Sequence, residues 1–288
     1  MTRVLVIGSG LVGAASATAL QRSGAEVLTA SRSTGMRLET QEGLRLLRAT
    51  IESFAPGVVL LAHGPTSPEW CPEHPELSTA IHALPAAVVA ESGARPVLVS
   101  SDVVFDGVAP VARVEDGPHP VTAYGHAKLA AERGIAGARG ATIVRVAMVY
   151  GWSRPGNSFA ERVLHSLGET RAVDAPVDQF VSPVYDDDVA ETVAAAVLRP
   201  NAPRLIHLGG PERLSRYRFA LEAARALGAS VALVLPVRRE GMARALRPKH
   251  SCLETSWIPP ELHRRGLITP AEGLRLTVDR RTRAVSPS

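Results

Sequence analysis

Tyr124 and Lys128 are the residues whose types and spacing most directly suggest chemistry in this sequence. The stretch from Ala123 to Glu132 is rich in alanine and contains no helix breaker after Gly125, which predicts a helix. Positions i and i+4 share one face of a helix, so the two side chains point the same way. An ammonium group beside a phenol favours the phenolate, and we expect Lys128 to lower the tyrosine pKa from about 10. Tyr124 is then a candidate proton donor and acceptor near neutral pH.

An alternative interpretation is that both are ordinary exposed residues of a helix with no catalytic role, because Tyr-x-x-x-Lys is a common pattern. Lysine occurs in this chain only at Lys128 and Lys249, while arginine supplies the other basic residues. This scarcity favours a functional pair over a chance match.

A glycine-rich turn follows the first apolar run. Val4–Ile7 predicts a buried strand, and Ala14–Arg22 predicts a helix. Between them lies a Gly-x-Gly-x-x-Gly turn, in the context that dinucleotide-binding proteins require. Its glycines let the backbone approach a pyrophosphate, and the helix N-terminus offers free N–H groups to it. The predicted cofactor contacts are Gly8, Gly10, Leu11, Val12 and Gly13; a plain tight turn is the alternative.

The end of the second predicted strand bears on cofactor choice. An NAD site usually carries an acidic residue there, whereas this chain has Ser31 and Arg32. A hydroxyl and a guanidinium suit a 2′-phosphate, so NADP(H) is preferred and NAD(H) remains an alternative. Arg32 could also be merely solvated. The loop after the third strand, at Ala62, His63 and Gly64, is the remaining predicted cofactor contact, together with Tyr124 and Lys128.

Strands and helices alternate along the chain, which predicts an α/β fold with a doubly wound parallel sheet of the Rossmann type. We expect residues 1–151 to form the cofactor domain and 181–208 to return to it. Residues 152–180 and 209–288 are expected to form a smaller substrate-binding lobe that ends in a polar tail from about Arg280. The predicted strands are 4–7, 25–30, 58–62, 96–100, 142–149, 205–208 and 231–237, and the predicted helices are 14–22, 43–54, 75–92, 123–132, 159–167, 186–198 and 215–227.

The composition excludes several classes of protein. With 45% hydrophobic and 21% charged residues, the chain is globular and not disordered. The formal net charge of +4 is spread without a basic run, so we expect no nucleic-acid partner. We also expect no signal peptide, no membrane span, no metal site and two reduced cysteines, hence a cytoplasmic location.

Four segments together resemble the extended short-chain dehydrogenases/reductases, and among them the dTDP-4-dehydrorhamnose reductase-like branch. They are 8–13, 100–107 (Ser-Ser-Asp-Val-Val-Phe-Asp-Gly), 124–132 and 145–151, with 178–183, 247–249 and 253–255 resembling later motifs of that branch. The resemblance implies that Tyr124 protonates a substrate oxygen while nicotinamide delivers hydride. It implies that Ser101 donates a hydrogen bond to the carbonyl and that Lys128 binds the nicotinamide ribose. The implied substrate contacts are Val103, Met148, Asn157 and Arg247.

Several positions depart from the family pattern. Val103 replaces an aromatic residue and Met148 replaces a tryptophan, both of which would lie near the sugar in relatives. His82 stands where relatives often carry asparagine, and Glu39 replaces an aspartate near the adenine. Asp102 is not followed by the glutamate of dehydratases, which disfavours dehydration. These departures affect the substrate more than the type of reaction.

Three functions are compatible with these residues. The first is NADPH-dependent reduction of the 4-keto group of a deoxy nucleotide sugar, whose diphosphate Arg247, Lys249 and His250 are candidates to bind. The second is reduction of a non-sugar intermediate in natural-product synthesis. The third is a non-catalytic, dinucleotide-binding regulator of another protein. A homodimer is compatible with all three, and the sequence determines neither the substrate, the product stereochemistry nor the effect of His82 on a proton relay.

Overall fold

The apolar runs of the sequence form strands in the computed structural model, which describes residues 1–67, 70–152, 158–241 and 247–285. The strands, in chain order, are β1 (Arg3–Ile7), β2 (Glu26–Ala30), β3 (Val58–Leu61), β4 (Arg95–Ser101), β5 (Thr142–Val146), β6 (Val149–Tyr150), β7 (Val173–Pro176), β8 (Phe180–Val181), β9 (Val184–Tyr185), β10 (Leu205–Leu208), β11 (Leu214–Ser215), β12 (Val234–Val237) and β13 (His250–Ser251). The helices are α1 (Leu11–Arg22), α2 (Gln41–Phe54), α3 (Trp70–Glu73), α4 (Pro75–Glu91), α5 (Ala123–Ile135), α6 (Phe159–Gly168), α7 (Asp186–Leu198), α8 (Arg216–Leu227), α9 (Pro260–Arg265) and α10 (Pro270–Val285).

Six strands form one parallel sheet in the order β2-β1-β3-β4-β5-β10. Successive side chains of β1 point to opposite faces, so Val4 and Val6 join one core and Leu5 and Ile7 join the other. Helices α1 and α7 contribute to the first core, and α2, α4 and α5 to the second. The predicted α/β, doubly wound parallel sheet is therefore confirmed. Its strand order reverses beside β1, where this class of fold binds ligands.

The remaining elements pack around a third core, which is formed by residues from the second half of the chain. Helices α6, α8 and α10 bury apolar residues against the strands β6, β7 and β9, with Phe219 fully buried at the centre. Residues 257, 258 and 267, which the sequence analysis assigned to the smaller lobe, contact the first core of the main sheet. Within the described residues, no helix is both long enough and apolar enough to cross a membrane.

The predicted strand 142–149 is too long. It ends at Val146, because the pairing with β10 ends at Leu208 and the chain then turns toward the third core. Val184 N–H donates to the Met148 carbonyl at 3.0 Å, and Val149–Tyr150 pairs with Val184–Tyr185 in a separate small sheet.

Two predictions for the last third of the chain are also wrong in part. Val231–Leu233 is a short 3₁₀ turn instead of strand, because the Ser230 hydroxyl accepts from the N–H of Ala232. The expected polar tail from Arg280 is instead the end of α10, which runs to Val285. Arg280 pairs with Asp186 and Asp187, and these contacts fix the helix against the start of α7.

The carboxylate of Asp188 gives a test of this packing. It is fully buried and accepts from Arg265 and from the N–H of Ile268, each at 2.7 Å. We predict that Asp188→Ala lowers the free energy of unfolding by about 2–3 kcal/mol, because two charge-assisted hydrogen bonds are lost and a backbone N–H is left without its partner. Urea unfolding followed by circular dichroism measures this change.

Glu191→Ala is the matched control, because Glu191 contacts the same arginine at 3.4 Å but is 40% exposed. We expect its effect to stay within about 0.5 kcal/mol. Equal losses in the two variants would show that the buried hydrogen bonds of Asp188 do not stabilise this corner of the fold.

Candidate active site

A cleft of about 1130 Å³ lies at the carboxyl ends of the central strands. The turns after β1 and β3 and the ends of β4 and β5 form one wall. A second part of the lining, the arginine wall, comes from α6, α8 and the segment before β13 and includes Phe159, Arg162, Arg216 and Arg247. A cleft of this size, with polar groups on both walls, can hold a dinucleotide and a second molecule.

The glycine turn forms the first part of the cleft. Gly10, Leu11 and Val12 line it, and α1 begins at Leu11, so free N–H groups lie at the cleft edge. Gly8 and Gly13 lie behind them, where a Cβ on Gly13 would collide with the Gly8 carbonyl. Gly8 itself has φ of +114°, a conformation that favours glycine. The turn therefore fits a pyrophosphate. Gly8 and Gly13 shape its backbone, and Gly10, Leu11 and Val12 line the cleft.

Ser31 and Arg32 lie at the end of β2 but are not among the described residues that line the cleft. The Arg32 guanidinium pairs with Glu39 at 2.7 Å, and Arg37 contacts the same carboxylate at 3.4 Å. Ser31 accepts or donates in a 2.7 Å hydrogen bond with Ser33. A 2′-phosphate would therefore have to share Arg32 with Glu39, a competition that the sequence analysis did not anticipate.

One neutral histidine, His63, lies in the loop after β3, and a second, His82, contacts that loop from α4. The Nε2–H of His63 donates to the Ile81 carbonyl at 3.0 Å, and that of His82 donates to the Pro65 carbonyl at 3.2 Å. Burial and the charge of Lys128 lower the pKa of His63 to about 3, and the same causes hold the pKa of His82 well below its usual value. Ala62, His63 and Gly64, the predicted cofactor contacts of this loop, line the cleft. The His82 ring lies 5.7 Å from that of Tyr124, centroid to centroid.

Helix α5 brings the three predicted catalytic residues together. Thr122 caps it by accepting from the N–H of Gly125 at 3.0 Å. A Cβ on Gly125 would collide with the Val103 carbonyl, so only glycine allows the helix to begin this close to the end of β4. Ser101, Tyr124 and Lys128 consequently line one side of the cleft. The Ser101 hydroxyl donates to Asp102 at 2.8 Å.

The predicted effect of Lys128 on Tyr124 is wrong. Burial raises the pKa of Tyr124 well above its ordinary value, the charges of Asp102 and Cys71 raise it further, and a hydrogen bond with Ser101 opposes them. The Lys128 ammonium donates to the Val99 carbonyl at 3.0 Å and lies 5.8 Å from the centroid of the tyrosine ring. Burial lowers the pKa of Lys128 to about 8. Tyr124 is thus a neutral phenol that can give a proton, beside a lysine that can lose one.

Arg216 and Asp102 are site residues that the sequence analysis did not assign. Arg216 is buried, with its guanidinium 4.5 Å from the centroid of the Phe159 ring. Burial and the charges of Arg247 and Arg162 lower the pKa of Arg216 to about 9, while Asp102 opposes them. Burial raises the pKa of Asp102 to about 6. No local pattern marks Arg216, because its partners lie far away in the sequence.

The predicted substrate contacts lie in the same half of the cleft. Val103, Met148 and Arg247 all line it, together with Arg162 and Arg216. Asn157 lies outside the described residues. Arg216 interacts electrostatically with both of the other arginines and with Asp102.

Comparison with known proteins identifies the family. Residues 1–266 match the sequence model of the family described as the RmlD substrate binding domain. The chain belongs to this family. It is 29% identical over 216 residues to a probable dTDP-4,6-dihydroxy-2-methyloxan-3-one 4-ketoreductase of Streptomyces antibioticus, covering 72% of each chain. It is 28% identical over 221 residues to methionine adenosyltransferase 2 subunit beta of Xenopus laevis, covering 73% of this chain and 66% of that protein.

Solved structures of dTDP-4-dehydrorhamnose reductases have the same fold. The dTDP-4-dehydrorhamnose reductase of Clostridium acetobutylicum superposes with a TM-score of 0.85 at 27% identity, covering 98% of this chain and all of that one. The reductase of Bacillus anthracis, solved in complex with NADP, gives 0.84 at 22% identity and covers 97% of this chain and 99% of that one. The resemblance to the dTDP-4-dehydrorhamnose reductase-like branch and the Rossmann-type fold are both confirmed.

The two neighbours of Tyr124 should move its ionisation in opposite directions. We predict that Asp102→Asn lowers the pKa of Tyr124, because the substitution removes a negative charge that opposes the phenolate. Ser101→Ala should raise the same pKa, because the hydrogen bond that favours the phenolate is lost. Ultraviolet difference titration, with the spectrum of Tyr124→Phe subtracted to remove the other tyrosines, measures both shifts.

A shift of the same sign in the two variants would contradict this account of the site. Asp106→Asn is a suitable control, since Asp106 follows the same strand but does not contribute to the shift in the pKa of Tyr124.

Proposed function

We propose that this chain is an NADPH-dependent reductase of a carbonyl group, most specifically the 4-keto group of a deoxy nucleotide sugar. The proposal is based on the arrangement of the residues that line the cleft. A protonated phenol, a serine hydroxyl and a lysine line one part of the cleft, and Arg162, Arg216 and Arg247 line another. The family and the named activity of the Streptomyces relative support the same reaction type.

Tyr124 acts as the general acid in this proposal. A bound nicotinamide dinucleotide supplies the hydride that reduces the carbonyl carbon. Tyr124 gives its proton to the carbonyl oxygen, and Ser101 donates a hydrogen bond to that oxygen as negative charge develops there. The high pKa of Tyr124 keeps the phenol protonated before the reaction. The nearby Lys128 ammonium then stabilises the phenolate that remains.

The arginine wall supports an anionic substrate. Burial, opposed by Asp102, lowers the pKa of Arg216 to about 9, and repulsion from the neighbouring Arg247 and Arg162 adds to this shift. An anion bound among them would relieve this repulsion and gain charge-assisted hydrogen bonds. A sugar diphosphate has the charge for this wall and the length to place its ring near Tyr124. Val103 and Met148 replace aromatic surface at that point, which leaves the identity of the sugar open.

A second candidate function is suggested by the relatives named methionine adenosyltransferase 2 subunit beta. Under it, the chain binds a dinucleotide and acts through a partner protein instead of by reduction. The chain spans 66% of the length of that relative. The three candidate catalytic residues are present and adjacent in this chain, which favours the reductase.

Replacement of Tyr124 by phenylalanine tests the reductase directly. Tyr124→Phe keeps the ring and removes the proton, and we predict a loss of about 10²–10⁴ in the rate of NADPH oxidation with cofactor binding retained. The assay uses a panel of 4-keto nucleotide sugars and simple ketones. Tyr217→Phe, a tyrosine that does not line the cleft, is the control and should be fully active. If no carbonyl is reduced by the unmodified protein, the second candidate replaces the first.

Cofactor choice depends on whether Arg32 stays paired with Glu39 or binds the 2′-phosphate of the cofactor. We predict that the unmodified protein binds NADPH more tightly than NADH and that Arg32→Ala narrows the difference. Glu39→Gln should widen it, because the arginine is released from its ion pair. Calorimetric titration of both cofactors measures the ratio, with Glu42→Gln, an exposed acidic residue on α2, as the control. Equal affinities in the unmodified protein would refute the preference for NADP(H).

The arginine wall predicts competition by free nucleoside diphosphates. UDP or dTDP should compete with the substrate, and Arg247→Gln should weaken that competition about tenfold or more, since a charge-assisted hydrogen bond contributes roughly 1.5–3 kcal/mol. Arg218→Gln is the control, because Arg218 is exposed on α8 and does not line the cleft. Reduction of a plain ketone without any binding of either nucleotide at millimolar concentration would favour a non-sugar substrate.

A further inference from the structure

A buried ion pair lies directly beneath the candidate active site. Arg145 on β5 donates to Glu132 on α5 through Nε at 3.0 Å and through Nη2 at 2.7 Å. Each side chain is only 5% exposed. The Ser100 hydroxyl donates to the same carboxylate, and the Nη1 of Arg145 lies 3.3 Å from the Nε2 of His207 on β10. Such a bidentate pair has a fixed geometry, so it ties three strands and one helix to each other.

Each end of this network is adjacent in sequence to a candidate catalytic residue. Ser100 immediately precedes Ser101 on β4. Glu132 lies one turn beyond Lys128 and two turns beyond Tyr124, on the same face of α5. The pair therefore fixes the position of α5 relative to the end of β4. This is the distance on which the contact between Ser101 and Tyr124 depends.

The network also determines the charge next to Lys128. Several elements place groups near this lysine: Tyr124 and Glu132 on α5, His63 after β3, His82 on α4 and, behind Glu132, Arg145 on β5. The phenol and both histidines are neutral. Among the described groups, Glu132 supplies the negative charge that raises the pKa of Lys128 against the effect of burial. The remaining anion, Asp102, lies on the side of Tyr124 and Arg216.

We propose that Glu132 is the positioning residue of this site: paired with Arg145, it holds α5 against the end of β4 and keeps the Lys128 ammonium charged. Arg145 is necessary because a buried carboxylate without a partner would take up a proton and lose its charge. The catalytic part of this inference rests on the proposed reductase function. The electrostatic part does not, because the charge of Lys128 can be measured without turnover.

The two lysines of this chain make that measurement direct. Protein labelled with [¹³Cε]lysine has only two lysine signals, from Lys128 and Lys249, and the exposed Lys249 is an internal reference. A pH titration of these signals gives the midpoint for Lys128. In Glu132→Gln we expect this midpoint to fall by about one pH unit, because the negative charge is gone and burial continues to disfavour the ammonium. Glu132→Asp keeps the charge and should keep the midpoint.

Ser100→Ala is the matched control, because it removes a hydrogen bond to Glu132 without changing any charge. Its midpoint should equal that of the unmodified protein. The double variant Glu132→Gln, Arg145→Met removes both charges together, which leaves no unpaired buried charge. If Glu132→Gln alone does not fold, the titration midpoint of Lys128 is measured in this double variant. An unchanged Lys128 midpoint in whichever of these two variants folds would overturn the inference.

Turnover gives the second part of the test. Activity that requires a charged Lys128 is present below its pKa and is lost as the pH rises through about 8. In Glu132→Gln the loss of kcat/KM on the basic side should move to lower pH together with the titration midpoint. A midpoint that moves while the kcat/KM profile stays fixed would overturn the positioning role but leave the reductase intact. If no variant reduces any carbonyl, the proposed function fails and the titration still decides the electrostatic part.

Discussion

The pairing of charges buried beneath the cleft is the constraint on which the rest of this structure depends. Glu132 and Arg145 neutralise one another where neither could be tolerated alone. Because they come from α5 and β5, and because Ser100 and His207 join them, the pair links the helix to three strands of the sheet. The packing of α5 on the sheet and the geometry of the candidate active site therefore depend on the same contacts.

Burial also determines the chemistry of the tyrosine. A phenol in water near a lysine would ionise more readily, which is the expectation that composition and spacing alone support. In the cleft, the loss of solvent and the nearby Asp102 outweigh the hydrogen bond with Ser101, so the phenol stays protonated. This state is the one that a reductase needs before hydride transfer. Lys128 becomes useful only after the proton has left, when an ammonium beside a new phenolate lowers the energy of the product state.

Local patterns in the sequence were sufficient to predict the sheet, the glycine turn and the face shared by Tyr124 and Lys128. Each of these depends on residues within a few positions of one another. Arg216 could not be found in this way, because it meets Asp102 and Arg247 only after the chain has folded. The ion pair between Arg32 and Glu39 was missed for a similar reason, since the turn that follows β2 brings them together. The end of β5 at Val146 is set by its neighbour β10, which no single-strand pattern reveals.

The two walls of the cleft make different demands on a ligand, and this difference bears on function. The wall from the central sheet offers a proton, a hydroxyl and a glycine turn, which any member of this fold class could use for many carbonyl substrates. The other wall includes Arg162, Arg216 and Arg247, and the charges of Arg247 and Arg162 disfavour the charged form of Arg216. A neutral ketone would use the first wall and gain nothing from these positive charges. A diphosphate joined to a keto sugar would satisfy both walls at once, and its binding energy at the arginines could position the carbonyl against Tyr124.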